Sequence, residues 1–149
     1  MKKGHMLSTA IRIATQAHDG QYDRGGMPYI LHPLKVMHYT KATDEEILCI
    51  AVLHDVVEDS DITWNDLREA CMSERVISAV RALTKLPGQS YDEYREAVFA
   101  NRDAMLVKLA DLRHNTDIRR LKGITVKDRE RMARYHSFAF DIQQRLNNA

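Results

Sequence analysis

The chain has 149 residues, which is enough for one domain with its own core and leaves little room for a second. With 29% charged and 44% hydrophobic residues, the composition excludes a disordered chain. A formal net charge of +1 gives no reason to expect a nucleic acid as partner, and no apolar stretch is long enough to cross a membrane.

The two cysteines, Cys49 and Cys71, have neither the spacing of a metal site nor the density of a disulfide scaffold. They favour a reducing, cytoplasmic setting. The opening residues MKKGHM resemble an added tail over residues 1–5, with the natural start at Met6. We therefore expect a single domain over residues 7–146 and assign no function to His5.

Helical spacing of apolar residues dominates, and the alternation typical of strands is almost absent. A first amphipathic helix is predicted over residues 7–19, ending at Gly20. The loop GQYDRGGMPY follows, where paired glycines and Pro28 exclude a continued helix. The next helix starts at His32 and Pro33, with proline in a tolerated first-turn position.

The third predicted helix is capped by Asp44 and runs through EEILCIAVLHDVVED, with apolar residues on nearly every side. Such a helix is typically buried, so we expect it at the centre of the fold. Further helices are predicted to begin at Thr63, Ser73 and Ser90, and to span residues 102–120 and 125–146. The pattern predicts a single all-α bundle of about seven helices.

The third helix places His54, Asp55, Glu58 and Asp59 within its apolar sequence. Burying unpaired charges costs several kcal/mol each, unless the groups are paired or bind a metal. Residues four apart share a helix face, so all four side chains should point in roughly one direction. We do not expect His54 and Asp55 to bond to each other, because adjacent side chains diverge. A shared divalent cation would satisfy both.

Two more ionisable residues interrupt apolar segments, namely His32 in YILHPLKV and Asp111 in MLVKLADL. With His54 and Asp55 they make a set of imidazoles and carboxylates that suits Mn²⁺, Fe²⁺ or Zn²⁺. A single buried histidine is more often a hydrogen-bonded core residue, and Asp111 could instead pair with a nearby arginine. Spacing alone leaves the metal site and the structural interpretation open.

The order H…HD…D resembles the HD superfamily of metal-dependent phosphohydrolases, which are helical bundles. The segments AHDGQYDRGGMPYILHPLKV, AVLHDVVEDS and VKLADLRHN look like the hydrolase half of RelA/SpoT-type alarmone enzymes. They look especially like the small alarmone hydrolases related to the metazoan SpoT homologue. The resemblance runs from about residue 7 to residue 140, nearly the whole chain.

This resemblance implies hydrolysis of the 3′-pyrophosphate of ppGpp or pppGpp, giving GDP or GTP and pyrophosphate. It implies one Mn²⁺ ion ligated by His32, His54, Asp55 and Asp111. It also implies that Glu58 and Asp59 orient or deprotonate the attacking water. Arg24, Asn115 and Tyr135 match substrate-contacting positions.

One departure concerns the nucleobase loop, where the longer enzymes carry Arg-Lys and this chain has Asp23 and Arg24. An aspartate cannot stack on guanine as a guanidinium does. Hydrolysis of ppApp and removal of the 2′-phosphate of NADPH therefore stay open as alternatives. A nucleotide-binding regulatory domain without turnover is a separate, less favoured alternative. The sequence leaves the oligomeric state open.

Several nearby residues are given other interpretations. Lys108 and Arg113 are either cations for the pyrophosphate or ordinary surface side chains. The run of Arg119, Arg120 and Lys122 is interpreted as a solvated face near a helix end. Nothing in the spacing of His114 makes it a metal ligand.

Overall fold

A computed structural model describes residues 2–148, so Met1 of the expected tail lies outside the described residues. Residues 2–148 form nine α-helices and one 3₁₀-helix. The helices are α1 His5–Ala17, α2 Leu31–Tyr39, α3 Glu45–Leu53, α4 Val56–Asp59, α5 Trp64–Glu69, α6 Glu74–Leu83, α7 Tyr91–Phe99, α8 Arg102–Asn115 and α9 Val126–Asn147, with the 3₁₀-helix at Ile118–Arg120. Extended pairing within these residues is limited to one bridge between Tyr22 and Pro28. The predicted all-α fold is confirmed.

The helix starts follow from local capping chemistry. Asp66 N–H donates to the Thr63 hydroxyl at 3.1 Å, and Thr63 N–H donates to the Asp66 carboxylate at 2.9 Å. Ser90 forms the same reciprocal pair of bonds at the start of α7. Each pair satisfies backbone donors that a helix start otherwise leaves without partners. These starts are where the sequence predicted them.

Helix α3 is the central element of the bundle. Its last five residues, from Cys49 to Leu53, are all fully buried. It packs against α1, α2, α6 and α8, which together cover its sides. The prediction of a buried central helix is confirmed, and the two helices that carry the other candidate site residues are among its neighbours.

The third helix does not continue through the HD pair, and its predicted extent was wrong. It ends at Leu53, and α4 begins only at Val56. Asp55, between them, has φ −106° and ψ −1°, outside the regular helical geometry. The His54 ring bonds back to the Ala51 carbonyl at 2.6 Å. The resulting turn directs both His54 and Asp55 toward α2 and α8.

The helix predicted over residues 102–120 is also shorter than expected. It ends at Asn115, and the Thr116 hydroxyl donates to the Leu112 carbonyl at 2.9 Å. The Asp117 carboxylate then accepts the Arg119 N–H at 3.0 Å and starts the 3₁₀-helix. This turn brings Arg120 back beside the end of α8. No helix within residues 2–148 has the length and apolar character needed to cross a membrane.

Candidate metal centre

His32, His54, Asp55 and Asp111 converge on one point. Each offers one donor atom, and the four atoms all lie within 4.8 Å of one another. His32 lies in the first turn of α2, the HD pair lies at the α3–α4 break, and Asp111 lies on α8. Packing of α2, α3 and α8 against one another brings the three segments together. The two histidines and Asp111 are at most 3% exposed.

Asp111 is the common partner of both imidazoles. Its Oδ1 lies 2.8 Å from His32 Nε2 and 3.2 Å from His54 Nε2. Asp55 Oδ2 lies 3.0 Å from His54 Nε2 and 3.7 Å from His32 Nε2. The expectation that His54 and Asp55 do not contact each other was wrong, because the helix break at these residues turns both side chains inward.

The donor set fits a divalent cation. Metal–ligand bonds of about 2.0–2.2 Å at wide angles put neighbouring donor atoms roughly 3 Å apart. The four distances between an imidazole nitrogen and a carboxylate oxygen run from 2.8 to 3.7 Å, close to this spacing, and all donor pairs lie within 4.8 Å. The Nδ1 of His54 is engaged by the Ala51 carbonyl, so its Nε2 is the nitrogen that faces the cluster. Imidazoles mixed with carboxylates suit Mn²⁺, Fe²⁺ and Zn²⁺.

The electrostatics of the cluster favour ionised carboxylates. Burial opposes ionisation of Asp111, but the Lys108 ammonium and bonds from His32 and His54 outweigh it and hold the pKa well below its usual range. Burial likewise disfavours a charged His54, yet Asp55 and Asp111 raise its pKa well above the ordinary value. A cation entering the site would therefore displace a proton from His54.

Lys108 belongs to this centre, and Arg113 does not. The Lys108 ammonium donates to Asp111 Oδ2 at 2.8 Å, and its side chain is only 13% exposed. Its i,i+3 spacing from Asp111 is the signal that could have placed it here from the sequence. Arg113 instead lies over the Tyr39 ring, 4.2 Å from its centre.

Sequence reasoning missed two further neighbours of the cluster. The Tyr29 hydroxyl donates to Asp55 Oδ2 at 2.6 Å. His114 Nδ1 lies 2.8 Å from His32 Nδ1, across 82 residues of chain. Nothing in their local spacing predicts either contact, because the partners come from different elements.

Glu58 and Asp59 lie beside the cluster, where a cavity of about 390 Å³ opens over it. We call this the cluster cavity, and its polar lining includes Tyr29, His54, Asp55, Glu58, Asp59, Lys85, Lys108, Asp111, Asn115 and Tyr135. Glu58 Oε1 accepts the Lys85 backbone N–H at 2.7 Å. Burial, with a smaller contribution from the charge of Asp55, raises the pKa of Asp59 to about 6. A carboxylate with such a pKa is suited to proton transfer near neutral pH.

A second cavity of about 260 Å³ adjoins the first. We call it the loop cavity, and it is lined by Tyr22, Asp23, Arg24, Tyr29, Asn115, Asp117, Arg120, Leu121, Arg131 and Tyr135. Tyr29, Asn115 and Tyr135 line both cavities. The structure therefore brings Arg24, Asn115 and Tyr135 to one place, as their predicted common role requires. Arg24 is mostly exposed and lies 3.5 Å from Asp128.

Asp23 and Arg120 connect the loop cavity to the cluster. Asp23 Oδ1 accepts the Met27 N–H at 2.9 Å, and its Oδ2 lies 3.5 Å from Arg120. Arg120 donates to Asn115 Oδ1 at 3.0 Å, and Asn115 donates in turn to Asp111 Oδ1 at 3.1 Å. Arg120 is 19% exposed, so the solvated face predicted for it was wrong. The early end of α8 turns it inward.

A family model described as an HD domain matches residues 10–136, over most of the chain and all four cluster residues. The chain belongs to the HD-domain family. The resemblance drawn from HD and its flanking segments is thereby confirmed.

The relatives that the chain resembles are more specific than the family model. The chain is 34% identical over 141 residues to the bifunctional (p)ppGpp synthase/hydrolase SpoT of Escherichia coli strain K12, covering 86% of this HD-domain chain and 20% of that protein. It is 32% identical over 120 residues to the guanosine-3′,5′-bis(diphosphate) 3′-pyrophosphohydrolase MESH1 of Danio rerio, covering 74% of this chain and 67% of that protein. The chain thus spans about one fifth of the length of the bacterial relative.

The fold is also shared with a protein related to SpoT. A solved structure described as a metazoan orthologue of SpoT that hydrolyses ppGpp superposes with a TM-score of 0.75 at 25% sequence identity. The match covers 95% of this chain and 86% of the other. The HD-domain bundle described above is therefore shared along nearly its full length.

Proposed function

We propose that this HD-domain protein removes the 3′-pyrophosphate of ppGpp and pppGpp, giving GDP or GTP and pyrophosphate. The observation that carries the proposal is the convergence of four buried donor atoms within 4.8 Å beneath a cavity that Glu58 and Asp59 also line. The activity for which the MESH1 relative is named supports the same substrate class.

His32, His54, Asp55 and Asp111 would hold one divalent cation, for which we propose Mn²⁺, with Fe²⁺ or Zn²⁺ as substitutes. Such an ion, when bound, acidifies water and neutralises charge on phosphoryl oxygens. The chain's own residues orient these ligands. Tyr29 holds Asp55 through a 2.6 Å hydrogen bond, and Asn115 holds Asp111 through one of 3.1 Å.

We assign proton transfer from the attacking water to the acidic pair. The Lys85 N–H fixes one oxygen of Glu58, so that its carboxylate is oriented before substrate arrives. Asp59, with its pKa raised to about 6 by burial, is poised to accept a proton near neutral pH. A domain that only bound nucleotide would have no use for this pair at the cavity wall.

We propose that the two parts of the substrate occupy the two cavities. We place the nucleoside in the loop cavity near Arg24, and the 3′-pyrophosphate in the cluster cavity near Lys108. Asn115 and Tyr135 line both spaces, so each can contact the substrate where its two parts join. Because Asp23 is engaged by the Met27 N–H and by Arg120, we do not assign it contact with the base.

A product assay tests the proposal and separates the alternatives. Metal-loaded protein is incubated with ppGpp, ppApp and NADPH, and products are resolved by chromatography. We expect GDP and pyrophosphate from ppGpp at the highest kcat/KM. Preferential orthophosphate release from NADPH would instead identify a 2′-phosphatase, and preferential cleavage of ppApp would identify an adenine alarmone hydrolase. Nucleotide binding without any product would identify a regulatory domain.

We also propose a reducing, cytoplasmic setting. Cys49 is buried, Cys71 is exposed, and both are free thiols. Burial raises the pKa of Cys49 to about 12, which keeps that thiol protonated and unreactive. Free cysteines of this kind are typical of proteins that work where thiols stay reduced.

A further inference from the structure

The two imidazoles of the cluster are oriented by different kinds of partner. His54 Nδ1 bonds to the Ala51 backbone carbonyl at 2.6 Å, so the main chain fixes this ring. Within residues 2–148, the hydrogen-bond partner of His32 Nδ1 is the side-chain nitrogen His114 Nδ1, at 2.8 Å. The Nδ1 atom of each imidazole therefore has a hydrogen-bond partner. For His54 the partner belongs to the backbone, and for His32 it belongs to a side chain that can be substituted.

The chemistry of a metal-binding histidine determines which nitrogen donates. The nitrogen facing the metal must be unprotonated, so the other nitrogen carries the proton and needs an acceptor. His32 Nε2 is the nitrogen in the cluster, 2.8 Å from Asp111 Oδ1. His32 Nδ1 is then the donor, and His114 Nδ1 is the acceptor, with the proton of His114 on its Nε2.

The surroundings of His114 hold its ring in the accepting position. The two rings are nearly parallel, with an interplanar angle of 17° and centroids 5.0 Å apart. Tyr39 packs edge-on against His114, with centroids 6.0 Å apart. Arg120 donates to the His114 backbone carbonyl at 3.2 Å, which ties the end of α8 to the 3₁₀-helix.

We propose that His114 is a positioning residue that selects the Nδ1–H tautomer of His32 and thereby sets the affinity of the centre for its metal. The proposal rests on the metal site of the proposed function, and it is independent of which nucleotide is cleaved. His114 acts through His32 and lines neither the cluster cavity nor the loop cavity.

Two variants of His114 distinguish an effect of the accepting nitrogen from an effect of side-chain packing. His114→Leu introduces an apolar side chain of similar bulk and removes the acceptor. His114→Asn places an amide oxygen near the position of Nδ1 and keeps an acceptor. His136→Ala, at an exposed position of α9, is the matched control. Mn²⁺ dissociation constants are measured by competition with a fluorescent chelator, and folding is checked by circular dichroism.

We expect His114→Leu to weaken Mn²⁺ binding by about 10- to 100-fold, the range usual for loss of a partner behind a metal ligand. His114→Asn should stay within about threefold of the unsubstituted protein, since the hydrogen bond is kept. Folded His114→Leu with unchanged affinity would overturn the proposal. So would His114→Asn binding as weakly as His114→Leu, because packing alone would then explain both.

A spectroscopic measurement reports the tautomer directly. In Cd²⁺-loaded protein, imidazole ¹⁵N spectra should show His32 protonated at Nδ1, with that proton protected from exchange. The protection should be lost in His114→Leu and kept in His114→Asn. A His32 ring protonated at Nε2 would overturn the proposal. If metal affinity depends on His114 while ppGpp is not cleaved, the proposed function fails and this inference stands.

Discussion

The cluster cavity and the loop cavity are neighbours that are built in different ways. The cluster takes its donors from α2, from α8 and from the break between α3 and α4, and three of its four residues are at most 3% exposed. The loop cavity is formed by the segment between α1 and α2, the 3₁₀-helix and the start of α9. Its most exposed cation, Arg24, has a side chain that is 67% exposed.

This difference indicates that the two cavities have different roles. Helix packing fixes the chemical centre rigidly, because moving any donor would disturb the buried core. The loop cavity depends on a few polar contacts, among which Asp23 to Arg120 is central. We therefore expect substitutions in the cluster to abolish chemistry, and substitutions around the loop cavity to change mainly substrate binding.

The largest effect is expected for Asp111→Ala. It removes the carboxylate shared by both imidazoles and leaves the buried Lys108 ammonium without its partner. Turnover should fall by about 1,000-fold or more, together with bound metal. Metal content after dialysis and initial rates measure the two losses. Asp103→Ala, on the same helix but paired with Arg75 outside the site, should keep both. Stoichiometric metal in Asp111→Ala would contradict the ligand assignment.

Glu58→Gln should separate chemistry from metal binding. The amide oxygen can still accept the Lys85 N–H, so the local structure is kept while the proton acceptor is lost. We expect full metal content and a fall in kcat of about 10²- to 10⁴-fold. Glu69→Gln, at an exposed position in α5, serves as the control. A kcat near that of the unsubstituted protein would exclude Glu58 as a proton acceptor.

The acidic pair also predicts a pH dependence. Burial raises the pKa of Asp59 to about 6, and only the deprotonated carboxylate can accept a proton. At saturating metal, kcat should therefore decline below pH 6, by about tenfold for each unit once Asp59 is largely protonated. Metal content is checked at each pH, because acid also competes for the cluster. Asp59→Asn should lower the maximal kcat and remove its decline below pH 6. If kcat of Asp59→Asn depends on pH as it does in the unsubstituted protein, the decline belongs to another group.

The smallest effect is expected for Arg120→Met, which breaks the contacts to Asp23 and Asn115 but leaves the donors in place. KM should rise by about tenfold, with kcat changed less than about threefold. Arg119→Met is the control, since that side chain is 83% exposed and pairs with Asp117. A tenfold loss in kcat without a change in KM would show that the loop cavity affects the chemical step and not mainly substrate binding.

The sequence by itself determined where helices such as α5 and α7 begin and marked the candidate cluster residues, and the physical reasons are local. Capping groups such as Thr63 and Ser90 act within three residues, and the apolar spacing marks which faces are buried. His32 and Asp111 were visible because an ionisable residue interrupts an apolar run. The HD pair was visible for the same reason, although its direct contact was not.

Tertiary structure alone decided how those residues are oriented. The bond between Tyr29 and Asp55 and the contact of His32 with His114 join segments 26 and 82 residues apart. Arg120 reaches Asn115 only because α8 ends early and the chain turns back. Hydrogen-bond direction and ring orientation depend on where helices cross in space, and residue spacing along the chain carries no record of that crossing.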